Sequence, residues 1–208
     1  MASTIGIDNP LVLSSASPRR REILESLGLP IRVHATEVSE LQILGETPLA
    51  YLERVVTDKL QAAAGHVPGV VEGRYAALLV ADTIVVLDSD VLGKPADVAE
   101  AKRLLARLSG CTHTVYTRYA IAEPDRPERA VCERTVATRV TMRSASEAEL
   151  ERYAETGEGL DKAGAYAAQG IGTFLIERVD GSYTNVVGLP VCELIQDLVR
   201  LSLLRRFP

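Results

Sequence analysis

Tryptophan is absent from this chain, phenylalanine occurs twice and tyrosine seven times. So small an aromatic stock leaves little from which to build a platform for stacked bases. Cations do not compensate: 23 Lys and Arg against 28 Asp and Glu give a formal net charge of -5. That balance disfavours sequence-independent nucleic-acid binding, in which many basic residues neutralise phosphates. Cysteine is scarce too. Cys111, Cys132 and Cys192 are odd in number, far apart and without a C-x-x-C pair, which argues against a disulfide framework or a zinc site and for a reducing compartment. No apolar run approaches a membrane span, and residues 1–10 have neither the basic stretch nor the apolar core of a secretory leader. The expectation is a cytoplasmic protein with neither membrane nor nucleic acid among its partners.

What is present suits a globular enzyme: 208 residues at 47% hydrophobic and 25% charged content can bury a core without staples. Leu11 to Leu13 predicts a short strand, and Ser17 followed by Pro18 predicts a helix N-cap with proline at the first position, running to about Leu27 before Gly28 and Pro30. A second helix should start at Thr47 and Pro48, bury Leu52, Val55, Val56, Leu60 and Ala63, and stop at Gly65. Ala76 to Val80 and Ile84 to Leu87 read as buried strands interrupted at 81–83. Asp97 with Glu100 opens a third helix over Ala101, Leu104, Leu105 and Leu108. Thr112 to Ala122 and Val131 to Met142 suggest a β-hairpin, Ser146 and Glu149 cap a short helix, Phe174 to Val179 is a strand, and Val191 to Leu204 a closing helix. Five glycines at 157, 159, 164, 170 and 172 mark irregular backbone passing close to something. The sum is an α/β fold with a mixed, twisted central sheet flanked by helices. With no linker in evidence, residues 1–208 read as one domain, built as two lobes around a cleft.

Arg19 and Arg20 stand at the second and third positions of the first helix, where free N–H groups and the macrodipole already place positive charge. Stability alone would favour Asp or Glu there. A phosphate chain held by those N–H groups, the hydroxyls of Ser15 and Ser17 and two guanidinium forks resolves the conflict. Pairing of the arginines with Glu22 or Glu25 is the alternative. There is no G-x-x-x-x-G-K-[ST], so this is not a P-loop.

Asp82 is a lone acid inside an apolar run, costly unless paired with a cation; a turn Asp between two short strands is the other reading. Lys59 lies beside the apolar stripe of the second helix and could equally snorkel. Lys94, between Gly93 and Pro95, is placed on a rigid loop that can present an ammonium. His34, His66 and His113 form no motif and read as structural or surface residues.

The run from Leu13 to Arg20 resembles the signature of the Maf family of nucleotide pyrophosphatases. Ala81-Asp82-Thr83, Leu92-Gly93-Lys94-Pro95, Asp161 to Tyr166, Gln169-Gly170 and Gly181 to Pro190 follow in the family's order, so the resemblance covers about Leu11 to Leu204. It implies a Maf/ITPase-like fold and hydrolysis of a nucleoside triphosphate to a monophosphate and pyrophosphate, with Asp82 as general base. It also implies a divalent cation, Mg²⁺ or Mn²⁺, held by Glu40 and Asp82. Phosphate binding would fall to Ser15, Ser17, Arg19, Arg20, Lys59, Lys94 and Lys162, and the protein would be a homodimer. Thr83 after the catalytic acid and Gln169 before Gly170 look like the branch acting on dTTP and UTP, which makes Arg19, Thr83 and Gln169 the specificity residues. The 7-methylguanosine-triphosphate branch is the alternative, as is a regulatory nucleotide binder in septum formation with little catalysis. Arg118 departs from the family, which carries glycine there.

Overall fold

A computed structural model describes residues 4–70 and 74–207. Seven strands form one sheet: β1 (Leu11–Ser14), β2 (Ile31–Val33), β3 (Ala77–Leu87), β4 (Asp90–Leu92), β5 (Thr112–Ala122), β6 (Ala130–Met142) and β7 (Ile176–Asp180). Their order is β2-β1-β3-β5-β6-β7, with β4 paired to β3 off this path. β1 is parallel to β2 and β3, whereas β3–β4 and β6–β7 are antiparallel. The sheet is therefore mixed, as its sequence suggests. β1 is wholly buried, and β3 is buried along its length except at Thr83, which is why β1 and the two flanks of β3 read as apolar runs.

The helices are α1 (Pro18–Ser26), α2 (Pro48–Val70), α3 (Val98–Leu108), α4 (Glu147–Glu155), α5 (Tyr183–Val187) and α6 (Val191–Arg200). The chain divides into two compact units. The first comprises Met1–Asp82, Arg118–Thr135 and Gly188–Pro208. Its core joins Leu11, Leu13, Leu79, Tyr119 and Ile121 from strands to Leu24 of α1 and Leu194 and Leu198 of α6. The second comprises Thr83–Thr117 and Val136–Val187, and packs Ala101, Leu105 and Leu108 of α3 and Leu150 and Tyr153 of α4 on Val85, Val115 and Val140.

Several boundaries differ from expectation. β3 runs straight through 81–83, because the charge of Asp82 is met by a side-chain cation and the strand has no need to break there. α2 passes Gly65 to Val70, since Val67 extends the buried stripe of Leu60 and Ala63. α6 stops at Arg200: Ser202 takes φ 60°, and the N–H groups of Leu203 and Leu204 turn back to the Leu198 carbonyl. Ser17 is the extended N-cap residue of α1, but its side chain makes no capping bond. α3 and α4 keep their caps, with Asp97 accepting from the Glu100 N–H and a full capping box at Ser146 and Glu149. β2, β4 and α5 are too short for periodicity to reveal. Strand β7 begins at Ile176, two residues later than its apolar start suggests.

The glycine-rich segment 157–172 contains two 3-10 turns with extended backbone around them. At Gly164 it passes close to Val85 and Leu108, and elsewhere it passes close to itself. A Cβ on Gly159 would lie 2.0 Å from the Ala165 carbonyl oxygen, and Gly170, at φ 79°, would carry its Cβ 2.3 Å from Glu158 Oε1.

Candidate active site

In the first unit, β1 delivers Ser14 and Ser15 into a buried position before α1 begins. The Ser15 hydroxyl accepts from the Ser17 N–H at 3.2 Å and from Arg20 Nη1 at 3.1 Å. Its own O–H is what it can offer to a phosphate. α1 has no acidic residue in its first turn, so the positive end of the macrodipole is not neutralised within that turn. Arg19 is half-buried, and Arg20 is 7% exposed. Burial pulls the Arg20 pKa down, with the Asp82 carboxylate pulling the other way. It is Arg21 that pairs with Glu25, at 2.7 Å on the surface.

Asp82, 9% exposed near the middle of β3, meets Lys59 of α2, also 9% exposed. Lys59 does not snorkel. Its Nζ lies 2.6 Å from Asp82 Oδ1 and 2.7 Å from Glu40 Oε1, so one buried ammonium joins the two acids. Glu40, an unremarkable loop acid by sequence, is thereby brought to Asp82. Two carboxylates aimed at one positive charge are a hard-oxygen pair of the type that Mg²⁺ or Mn²⁺ accepts when phosphate oxygens and water complete the octahedron. No group of three or more His, Cys, Asp or Glu that could hold a metal occurs among the described residues. These residues fit such an ion.

The other candidates belong to the second unit. The Thr83 and Thr117 hydroxyls are 2.8 Å apart, and Thr117 donates to the Asn185 carbonyl at 3.1 Å. A hydroxyl has one proton, so Thr83 is the donor of the pair. Lys94 is exposed on the loop between β4 and α3, where the Gly93 carbonyl accepts from the Gly164 N–H at 3.1 Å. Lys162 donates to the Glu158 carbonyl and pairs with Asp161. Exposed Gln169 precedes the 3-10 turn at Gly170–Leu175, whose first N–H groups, of Ile171 and Gly172, donate to the Glu158 carboxylate at 2.8 and 2.7 Å.

A family model described as Maf-like protein matches residues 10–201. The chain belongs to the Maf-like family. A Geobacter sulfurreducens protein named dTTP/UTP pyrophosphatase is 44% identical over 194 residues, spanning 93% of this chain and 97% of that protein. A Myxococcus xanthus protein of the same name is 47% identical over 193 residues, 93% of each chain. Among solved structures, a nucleoside-triphosphatase / dITP/XTP pyrophosphatase from Mycobacterium abscessus covers 93% of the chain at 14% identity and a TM-score of 0.42, too distant to carry an argument.

This Maf-like chain supports Glu40 with residues that the motifs do not reveal. Tyr51 of α2 donates to the Glu40 carbonyl at 2.8 Å. Its phenol is pushed up to about 12, first by burial and then by the Asp82 and Glu40 charges. Arg54 holds the following loop through Glu46 at 2.7 Å and the Leu41 carbonyl at 2.9 Å, with its guanidinium 5.6 Å from the centre of the Tyr51 ring. The available signal was Tyr51 itself, an aromatic on the apolar side of α2 whose hydroxyl needs a partner when buried. Arg118, the family departure, is engaged by Glu133 at 3.2 Å and Glu53 at 3.5 Å. His113 is buried against Tyr166, 2.8 Å away, in the second unit's core, and burial lowers its pKa to about 4.

Proposed function

We propose that this chain hydrolyses dTTP and UTP to the nucleoside monophosphate and pyrophosphate. The observation that carries the reading is Asp82 and Glu40 joined on Lys59 in the same unit as the serine-rich start of α1, in a chain 44 to 47% identical to proteins named for this activity. Asp82 takes a proton from the attacking water. The water oxygen bonds to the α-phosphorus as the bond from that phosphorus to the oxygen bridging to the β phosphate breaks, and pyrophosphate leaves with that oxygen. Ser15, Ser17 and the N–H groups opening α1 orient the phosphate chain, while Arg19, Lys59 and Lys94 neutralise its charge. Lys162 adds a cation on the same reading, and Arg19, Thr83 and Gln169 set base preference. A divalent cation held by Asp82 and Glu40 supplies further neutralisation of the phosphate oxygens when bound.

On this reading residues 1–208 work as one functional domain, and the protein acts in the cytoplasm as a homodimer. No helix among the described residues is long and apolar enough to cross a membrane. A panel of canonical and modified triphosphates, assayed for pyrophosphate with Mg²⁺ or Mn²⁺, tests the activity. Release from dTTP and UTP in preference to purine triphosphates and 7-methylguanosine triphosphate supports the reading, and preference for the last would reassign the branch.

A further inference from the structure

The position of Arg20 suggests a phosphate fork, yet its nitrogens face inward. Nε donates to the Gly188 carbonyl at 2.8 Å, and Nη1 donates to Ser15 Oγ at 3.1 Å and to the Ala81 carbonyl at 2.8 Å. Bidentate recognition of a phosphate uses one of two guanidinium edges, Nε with Nη2 or Nη1 with Nη2. The single Nε hydrogen and both Nη1 hydrogens are already on protein oxygens. Neither edge is open.

The three acceptors come from three separate stretches of the first unit: the loop after β1, the residue immediately before Asp82, and the segment leading into α6. A rigid planar fork bonded to all three fixes their relative positions, which a flexible lysine cannot do. Burying a cation beside the start of a helix is costly, and a burial this complete is sustained only by such a set of oxygens. We infer that Arg20 is a positioning residue, holding the Ala81–Asp82 peptide in register with the Ser15 hydroxyl, and is not a ligand of the phosphates.

The inference rests on the proposed hydrolysis, in which Asp82 must meet the attacking water within a fraction of an ångström. Arg20→Lys keeps the charge and loses the three-point hold. The expected result is a UTP KM within about twofold of wild type and a kcat lower by about 100-fold, the scale of a 1 Å misplacement. Adding guanidinium ion to Arg20→Ala should recover part of the lost kcat without changing KM. In the nucleotide-free protein, hydrogen exchange at amides 14–17 and 81–83 should accelerate in Arg20→Lys. If Lys prevents folding, Arg20→Gln, whose neutral amide can still donate to a carbonyl, carries the same comparison. A raised KM with kcat preserved would make Arg20 a phosphate ligand and overturn the inference, as would unaltered exchange at both segments. A wild type that releases no pyrophosphate from any triphosphate sinks the proposed function instead, and the exchange comparison still decides the role of Arg20.

Discussion

Asp82 is set apart by its pairing with Lys59, 2.6 Å away in a buried setting. Asp82→Asn keeps the shape and removes the base, so pyrophosphate release should fall by a factor of roughly 10² to 10⁴ while the circular dichroism spectrum stays as in wild type. Retained turnover would refute the role of Asp82. His113 gives a prediction of the opposite kind, about stability and not chemistry. Its pKa falls to about 4 in the fold, so below the ordinary histidine value the unfolded chain binds a proton that the folded chain refuses. Stability is unaffected above pH 6.5 and declines as pH drops towards 4, by roughly 3 kcal/mol in all. Urea unfolding at a series of pH values should show that loss in wild type and not in His113→Gln. Asp82 stands out in the sequence as an anomaly in an apolar run, whereas His113 reads there, like His34 and His66, only as structural or surface. Glu40 was not legible by itself, because a loop acid acquires meaning only when the fold brings it to Lys59.

Among the elements, the capping box of α4 and the glycine-rich segment are most open to test. Arg143, followed by the N–H and hydroxyl of Ser146, holds the Glu149 carboxyl down at about 2. A lowered carboxylate pKa stabilises above the unfolded value and loses its effect as pH falls through the folded one. The Tm difference between wild type and Glu149→Gln should therefore be constant above pH 5 and shrink as pH approaches 2. Gly159→Ala forces a methyl onto the Ala165 carbonyl oxygen with no flexible group to yield. It should cost at least about 2 kcal/mol in chemical denaturation. Helix starts were legible because Asp97, Ser146 and Pro18 carry local chemistry that acts wherever the chain goes. The ends of α1, α3 and α4 were legible in their glycines to within two residues, but two other ends were not: α2 continued past Gly65 because Val67 had a core to enter, and α6 stopped early because the chain turned back on Leu198. Those are tertiary causes, invisible to a local pattern.

For the whole molecule, the path of the chain matters more than any one element. Strands β3, β5 and β6 each contribute residues to both units, and the first unit is completed only by Gly188–Pro208. Truncation at residue 187 would strip Leu189, Leu194, Leu198 and Leu203, all fully buried, from that unit's core. The shortened chain should be insoluble or should lose cooperative unfolding, whereas a soluble product with a wild-type thermal transition would show that the core closes without them. The mixed sheet was foreseeable from the apolar runs and the hairpin signal, but this partition was not, since three of the four crossings fall inside unbroken strands and the fourth at the end of α5.

The ammonium of Lys59 has one more consequence. A carboxylate pair kept together by its own counterion does not depend on a metal for cohesion, in contrast to calcium or zinc sites whose fold collapses when the ion is withdrawn. Chelation with EDTA should therefore silence turnover at an unchanged melting temperature, and activity should return on adding Mg²⁺ without any refolding delay.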